Sequence, residues 1–281
     1  MARVQNITIG FCDQYVTINP YGPDALNLIN FLCCDLHSNT DAIPRAVYDL
    51  IIDDKKRLYS LRKEDEQLYD GDNAYDLAYK LINEIIYECL VDNRAGQAIH
   101  AAAIGSVHGG VLLAGKSGSG KSTLSTWLIS HGCNYLTDEL VVLAGMPPQI
   151  LPFTRPLSLK TGACSVLGSL LDFDHRERIV GNSGMMLPHR MINTNFTSST
   201  PPLSLVLFPQ YISGTSIELT QLTGALGCAR LMECYVNARN IQGHGISLLA
   251  QIARCTPIYQ ITYGSFDGLY ELLNKHFPTL F

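Results

Sequence analysis

Charge is scarce in this 281-residue chain: Asp, Glu, Lys and Arg make up only 16% of it, against 47% hydrophobic residues. The 20 basic residues are outnumbered by 25 acidic ones, and a net charge of -5 argues against a general nucleic-acid binder, which presents a basic face. No apolar run approaches the roughly 18 residues of a membrane span, so no membrane role is expected. The first residues lack the apolar core of a secretory signal. No internal repeat or low-complexity tract occurs, which excludes a solenoid. There are nine cysteines but no C-x-x-C pair. Cys33 and Cys34 are adjacent, a poor arrangement for pairing with each other or for shared metal ligation. Most cysteines stand in apolar runs, as in Phe31-Leu32-Cys33-Cys34. This usage reads as free, buried thiols in a reducing cytoplasm. The tripeptides starting at Asn6 and Asn195 match a glycosylation pattern that has no meaning without secretion.

What is present is unevenly distributed. Residues 1–92 carry 8 basic and 16 acidic residues, a net of -8, whereas residues 93–281 carry 12 and 9, a net of +3. Only Gly10, Gly22 and Gly71 precede residue 93, and the other 20 glycines follow it. A two-part chain is expected: a small acidic α+β domain over 1–92 and a glycine-rich domain over 93–281, the second better suited to an anion.

Residues 5–18 alternate loosely and read as one or two strands. Pro23-Asp24 opens a helical pattern with Leu26, Ile29, Leu32 and Leu36 on one face. Residues 47–61 are ambiguous, with a β-leaning Leu50-Ile51-Ile52 beside the charge run 53–57, which reads as a turn or exposed face. A helix is expected at about 73–91, capped by Asp72 or Asn73, with Leu77, Leu81, Ile85 and Cys89 as a packing stripe that carries no chemistry. Strands are expected at about 98–104, 111–114, 140–144, 203–208 and 257–263. Helices are expected near 222–236, 246–254 and 266–276, with a polar loop over 173–190. Alternating strands and helices argue for an α/β class.

One motif stands above this background. Gly115-Lys116-Ser117-Gly118-Ser119-Gly120-Lys121-Ser122 fits G-x-x-x-x-G-K-[ST], between an apolar strand ending at Ala114 and a helix starting near Ser122. Its glycines let the backbone turn its N–H groups inward as an anion nest, and the helix start adds a positive dipole end. Lys121 can reach the β- and γ-phosphates, and the Ser122 hydroxyl can ligate Mg²⁺. ATP and Mg²⁺ are therefore the expected cofactors.

A phosphate loop needs a carboxylate for its metal, and Asp138-Glu139 follows Lys121 by only 17 positions. A helix of about ten residues, a turn at His131-Gly132 and a short strand use all of that spacing. Neighbours on an extended segment point to opposite faces, so the two acids are suited to different tasks. If the chain bends there, one can serve the metal and the other can orient or deprotonate an acceptor hydroxyl; otherwise the pair is a solvated turn. If the strands near 98–105 and 110–115 form a hairpin, paired positions sum to about 215 and His100 lies opposite Gly115 at the mouth of the loop. The alternative for His100 is a satisfied core histidine.

The stretch from Ile99-His100-Ala101-Ala102 through Gly115–Thr123 to Leu136-Thr137-Asp138-Glu139 resembles the C-terminal catalytic domain of HPr kinase/phosphorylase. It is closest to the HPr kinase-related proteins that include lasso-peptide kinases. The short loop-to-acid spacing is similar to that of ATP-dependent phosphoenolpyruvate carboxykinases. The resemblance is specific over about 97–145. It extends more weakly through 155–160, Leu207-Phe208-Pro209 and Ile261-Thr262-Tyr263-Gly264. It implies a P-loop kinase domain of that type, a mixed sheet with flanking helices, preceded by the small α+β domain.

The resemblance also implies roles. Gly115, Ser117, Gly118, Ser119, Gly120, Lys121, Ser122 and Thr123 would hold the nucleotide. Asp138 takes the general-base position, with Ser122, Glu139 and Asp138 at the metal. His100 matches a histidine near the transferred phosphate. Arg155 and Lys160 are candidates for neutralising the γ-phosphoryl, or else plain surface charges. Arg176, Arg178 and Arg190 are candidates for a substrate loop. The acidic pair is Asp-Glu rather than Asp-Asp, and the glycine-rich signature that should follow it is not found. That argues against phosphorolysis and against HPr as substrate. The expected function is a cytoplasmic Mg-ATP-dependent kinase acting on a serine of a peptide or small protein, such as a ribosomal-peptide precursor, and the related kinases are often homo-oligomers. Two alternatives use the same scaffold: a kinase for a small metabolite or glycan precursor, and a non-catalytic nucleotide switch.

Overall fold

The computed structural model describes residues 5–168 and 170–281. They divide into two units. The first comprises Met1–Asn93 with two later segments, Thr154–Thr161 and Phe173–Pro188; the second holds the rest. Among the described residues are seven α-helices and several sheets, an α/β mixture.

The first unit begins with β1 (Ile7–Phe11) and β2 (Gln14–Tyr21), an antiparallel pair joined by a two-residue turn at Cys12 and Asp13. Helix α1 (Pro23–Cys33) then carries the chain to β3 (Ala46–Asp53), which pairs with β2 in parallel. Pro23 opens α1, where its missing N–H costs nothing. The buried face is Ala25, Leu28, Ile29, Leu32 and Cys33, so Leu28 takes the place expected for Leu26. The ambiguous stretch 47–61 resolves into β3 and β4 (Leu58–Lys63), with the charge run as the turn between them. In β3, Ala46, Tyr48, Leu50 and Ile52 point inward, the period-2 pattern of a half-buried strand. Strand β5 (Glu66–Gly71) completes a five-stranded sheet in the order β1-β2-β3-β4-β5.

Helix α2 (Ala74–Leu90) packs through Leu77, Leu81, Ile85 and Cys89, all fully buried. Burying a leucine or isoleucine in this way contributes about 1.5–3 kcal/mol each. The stripe is not purely apolar. Glu88 is also buried, its carboxylate taking Lys63 Nζ at 2.5 Å, with Arg45 Nε at 3.9 Å. The Glu88 hydrogen bond holds the Lys63 ammonium above the usual lysine range. A carboxylate held by two cations is a structural element whose cost is offset by its partners.

The two later segments of this unit form a three-stranded sheet: β11 (Leu157–Lys160), β13 (Gly184–Leu187) and β12 (Ile179–Gly181), in that order. The stretch 173–190, expected as a polar loop, therefore contains a β-hairpin.

The second unit is built on β6 (Gln97–Ser106) and β7 (Gly109–Ala114), an antiparallel hairpin. Its main sheet runs β10-β9-β6-β7-β14-β16-β15, with β8 (Asn134–Thr137) also on β6. Strands β9 (Leu140–Ala144) and β10 (Gln149–Pro152) make one edge, and β15 (Glu218–Gln221) the other. Strands β7, β14 (Leu203–Tyr211) and β16 (Ile258–Tyr263) are mutually parallel. They read as continuous apolar runs, Val111–Ala114 and Leu205–Phe208 being buried throughout, as parallel strands covered on both faces must be. Helix α3 (Lys121–Ser130) follows β7, while α5 (Gly224–Met232), α6 (Ile246–Cys255) and α7 (Leu269–His276) come later in the chain. Helix α4 (Thr161–Leu167) is a short connector. The core includes Ile99, Leu112, Val141, Val206, Leu249 and Ile258. No helix of the described residues is long and apolar enough to cross a membrane.

Candidate functional site

In an open α/β sheet, ligand sites form beyond the carboxyl ends of parallel strands. At that end of β7 lies the glycine loop 115–120, followed directly by α3. The loop needs glycine for two visible reasons. Gly115 has φ +146°, and a Cβ there would stand 2.9 Å from Ser119 Oγ. Gly120 has φ +99°, and its Cβ would stand 2.7 Å from the Tyr263 hydroxyl. Ser119 N donates to Lys116 O at 3.1 Å, closing a tight turn, and Tyr211 N at the end of β14 donates to Ser119 O at 3.0 Å. Ser119 Oγ is buried with no hydrogen-bond partner among the described residues. Ser117 and Gly118 are exposed at the tip.

Helix α3 starts without a side-chain cap and without an acidic residue in its first turn. Lys121 is its first residue and is only 7% exposed, yet its ammonium stays at the loop: Nζ donates to Gly115 O at 2.6 Å and to Lys116 O at 3.2 Å. Ser122 and Thr123 are half-buried in the same turn. Further along, Leu124 to Ile129 are all buried, so the helix is enclosed on every side. The hydroxyls of Ser125 and Thr126 are satisfied within the helix by Ser122 O, at 3.1 and 2.7 Å.

The hairpin has the expected register: Ala101 pairs with Ala114, and the paired numbers sum to 215. His100 is thus the strand position next to the start of the loop. On its other edge β6 is shared by two strands: His100 pairs with Leu140 of β9, and Ala103 with Thr137 of β8. Between those strands the chain bends at Asp138-Glu139, so the acidic pair sits in a turn rather than along a strand. Thr137 fixes the bend, its hydroxyl donating to Phe153 O at 2.6 Å while accepting from Glu139 N at 3.3 Å. Ala101 N donates to Glu139 O at 3.1 Å.

The bend sends the two acids to different environments. Asp138 is 3% exposed, with the Tyr135 hydroxyl 3.5 Å from Oδ1. Glu139 is half-buried, and its Oε1 lies 3.1 Å from His100 Nδ1. His100 is partly exposed and within hydrogen-bond distance of the Glu139 carboxylate, which is not the position of a core histidine. Behind Asp138, Tyr135 stacks on buried His189 at 4.6 Å. His189 in turn meets Phe196, over which Arg190 lies.

Three residues at the loop carried no signal in the sequence spacing. Where β7 leaves the sheet at 115, the segment after α5 takes its place beside β6: His100 N donates to Cys234 O at 2.8 Å, and Val236 N to Ala98 O at 2.8 Å. This puts Glu233 3.3 Å from Lys116 Nζ. It also puts the Cys234 thiol at the Gly115 amide, where burial raises its pKa against the lowering effect of that amide and of Lys121. The third is Tyr263, whose hydroxyl donates to Gly120 O at 3.2 Å.

Arg155 and Lys160 belong to the first unit, Arg155 buried after Thr154 and Lys160 exposed at the end of β11. Arg176 and Arg178 lie with them in the first unit, whereas Arg190 is in the second. The cysteines are free thiols; Cys33, Cys89, Cys133 and Cys234 are buried, while Cys34 and Cys255 are exposed. Burial pushes the Cys133 thiol up to about 12, which leaves it inert. Among the described residues no three His, Cys, Asp or Glu side chains stand together as a metal cage.

No family model matches the chain and no curated protein matches it. Among solved structures it is similar to the Hpr(Ser) kinase/phosphatase from Coxiella burnetii, with 15% identity over 64% of this chain and 95% of that one, at a TM-score of 0.31. A likeness that distant does not show a family.

Proposed function

We propose that the chain is a Mg-ATP-dependent kinase that transfers the γ-phosphoryl group to a hydroxyl, the acceptor being a serine of a peptide or small protein. One observation carries the reading. The start of the glycine loop and the acidic bend flank the same residue of β6, Ala101, which pairs with Ala114 at the end of β7 on one side and bonds Glu139 on the other. Adjacent strands lie about 4.8 Å apart, so the two backbones are on the order of 10 Å apart across β6. That gap suits a triphosphate end and an acceptor hydroxyl.

The residues present fit the nucleotide. Glycines occupy the two loop positions that a Cβ would obstruct, and Ser119 Oγ is a buried polar atom still open to a partner. Loop amides and the start of α3 bind the phosphates, and Lys121 supplies a mobile charge to the β- and γ-oxygens. The Ser122 hydroxyl and Glu139 would hold Mg²⁺, which needs few protein ligands beside phosphate oxygens. When bound, it would supply charge neutralisation to the triphosphate. Asp138 accepts the proton of the acceptor hydroxyl as its oxygen bonds the γ-phosphorus and the bridging oxygen leaves with ADP. His100, oriented by Glu139, donates to the moving phosphoryl oxygens.

Labelled ATP incubated with the full chain and with peptides encoded beside its gene tests the proposal, with Lys121→Ala as control. Label on a polypeptide in the wild-type lane alone is the expected result. Label confined to a small molecule would replace the peptide acceptor with a metabolite. Nucleotide binding without any transfer would leave only the switch alternative.

A further inference from the structure

Strand β16 ends at Tyr263, two parallel strands away from β7, and the side chain reaches back to the start of α3. The residue is fully buried. Its ring is held edge-on by Tyr211 at 5.6 Å and stacked by Phe266 at 5.8 Å. Phe266 in turn stacks on Trp127 of α3 at 5.3 Å. A phenylalanine would satisfy all of this packing, so the hydroxyl has a separate task. It donates to Gly120 O at 3.2 Å, and the same carbonyl accepts Leu124 N, the first helical bond of α3, at 2.8 Å. A carbonyl has two lone pairs, and here both are engaged. This fixes the plane of the peptide that joins Gly120 to Lys121, and that peptide also carries the Lys121 N–H. The hydroxyl occupies the space that a Cβ at residue 120 would need. Burial, reinforced by Tyr211, pushes the phenol well above its usual range, so it stays a donor.

We infer that Tyr263 is a positioning residue for the nucleotide: its hydroxyl locks the loop–helix junction so that the Lys121 amide and ammonium meet the phosphates in a preset geometry. The inference rests on the nucleotide-binding reading above. Preorganisation of this kind acts on ligand affinity more than on the fold.

The test titrates the full-length chain with Mg-ADP and with a non-hydrolysable Mg-ATP analogue, following the single tryptophan, Trp127. Tyr263→Phe removes the donor and keeps the ring. Tyr235→Phe is the control, because the Tyr235 hydroxyl is buried with no partner among the described residues. Tyr263→Phe is expected to weaken binding about fivefold, equivalent to a hydrogen bond of about 1 kcal/mol. The KM for ATP should rise by a similar factor, with kcat within about twofold of wild type and an unfolding temperature close to that of Tyr235→Phe. Equal affinity of wild type and Tyr263→Phe overturns the inference and leaves nucleotide binding standing. Equal weakening in both variants also overturns it, because the effect would then be one of packing. Failure of the wild type itself to bind either nucleotide overturns both readings.

Discussion

Helices α2 and α3 each follow a strand and a turn, but their first turns are made in opposite ways. At α2, the Asn73 side chain accepts from Tyr75 N at 2.9 Å and Asp76 N at 3.3 Å, and Asp76 adds a negative charge to the first turn. The orphan amides are satisfied and the dipole is met from within the chain. At α3, Gly120 offers no side chain, the first turn holds no acid, and the first residue is a lysine. Missing caps alone do not explain the difference, since α6 also begins at an uncapped glycine, Gly245, without an acid in its first turn. What sets α3 apart is the preceding loop, tied down by Tyr211 and Tyr263, and a buried lysine whose charged end stays at the loop. One helix start is sealed from within the chain, and the other is left open behind a glycine loop, as the proposed nucleotide site requires.

The largest test of this difference is Lys121→Ala. Phosphoryl transfer should fall to background, on the order of 10³-fold or more, because the charge is lost where the triphosphate needs it. The unfolding transition should shift far less than the activity, since Lys121 Nζ bonds the loop carbonyls of Gly115 and Lys116. Single-turnover assays and a denaturant titration on the same preparation check both halves. Next comes Asp138→Asn, which keeps the shape of the buried side chain and removes its basicity. A loss on the order of 10²–10⁴ in rate is expected with nucleotide affinity unchanged. Wild-type turnover by this variant would sink the base assignment and reduce the acidic bend to a structural turn.

These features were unequally legible in the sequence. The β6–β7 register followed from a short turn between two apolar runs, because residues close in sequence leave little choice of pairing. The start of α2 followed from Asn73 and the four-residue spacing of its stripe. The task of Glu88 did not, because its partners Lys63 and Arg45 come from other parts of the first unit. Glu233, Cys234 and Tyr263 lie more than 100 residues from the loop they touch, and no local pattern marks that approach. Arg155 and Lys160 follow the acidic pair closely in sequence, and the fold groups 154–161 with the first unit, a division that no local pattern marks. Periodicity reports which face of an element is buried, and it does not report which element will cover it.

Gly120→Ala is a smaller perturbation and separates loop geometry from charge. The new methyl would meet both a left-handed backbone and the Tyr263 hydroxyl. Strain of this kind costs about 2 kcal/mol, so nucleotide affinity should drop about 30-fold while Lys121 remains in place. Combining it with Tyr263→Phe removes the collision but not the backbone strain, so only part of the loss should return. Full recovery would mean that the hydroxyl alone dictates glycine at this position.

The smallest expected effect is at the sealed start. Asn73→Ala should cost about 1 kcal/mol of local stability, because two first-turn amides lose their acceptor and Ala supplies none. In a chain of two units a single global unfolding energy is a poor readout. Amide exchange at Tyr75 and Asp76 is the direct one, and it should quicken about fivefold while the amides deep in α2 hold their protection. Nucleotide affinity and transfer should be those of wild type. Inorganic phosphate added to Asn73→Ala provides the sharper half of the test. If an uncapped helix start were enough to bind an anion, phosphate would restore the lost protection at Tyr75 and Asp76. It should not, because α2 has Asp76 in its first turn where α3 has Lys121, and no glycine loop precedes it.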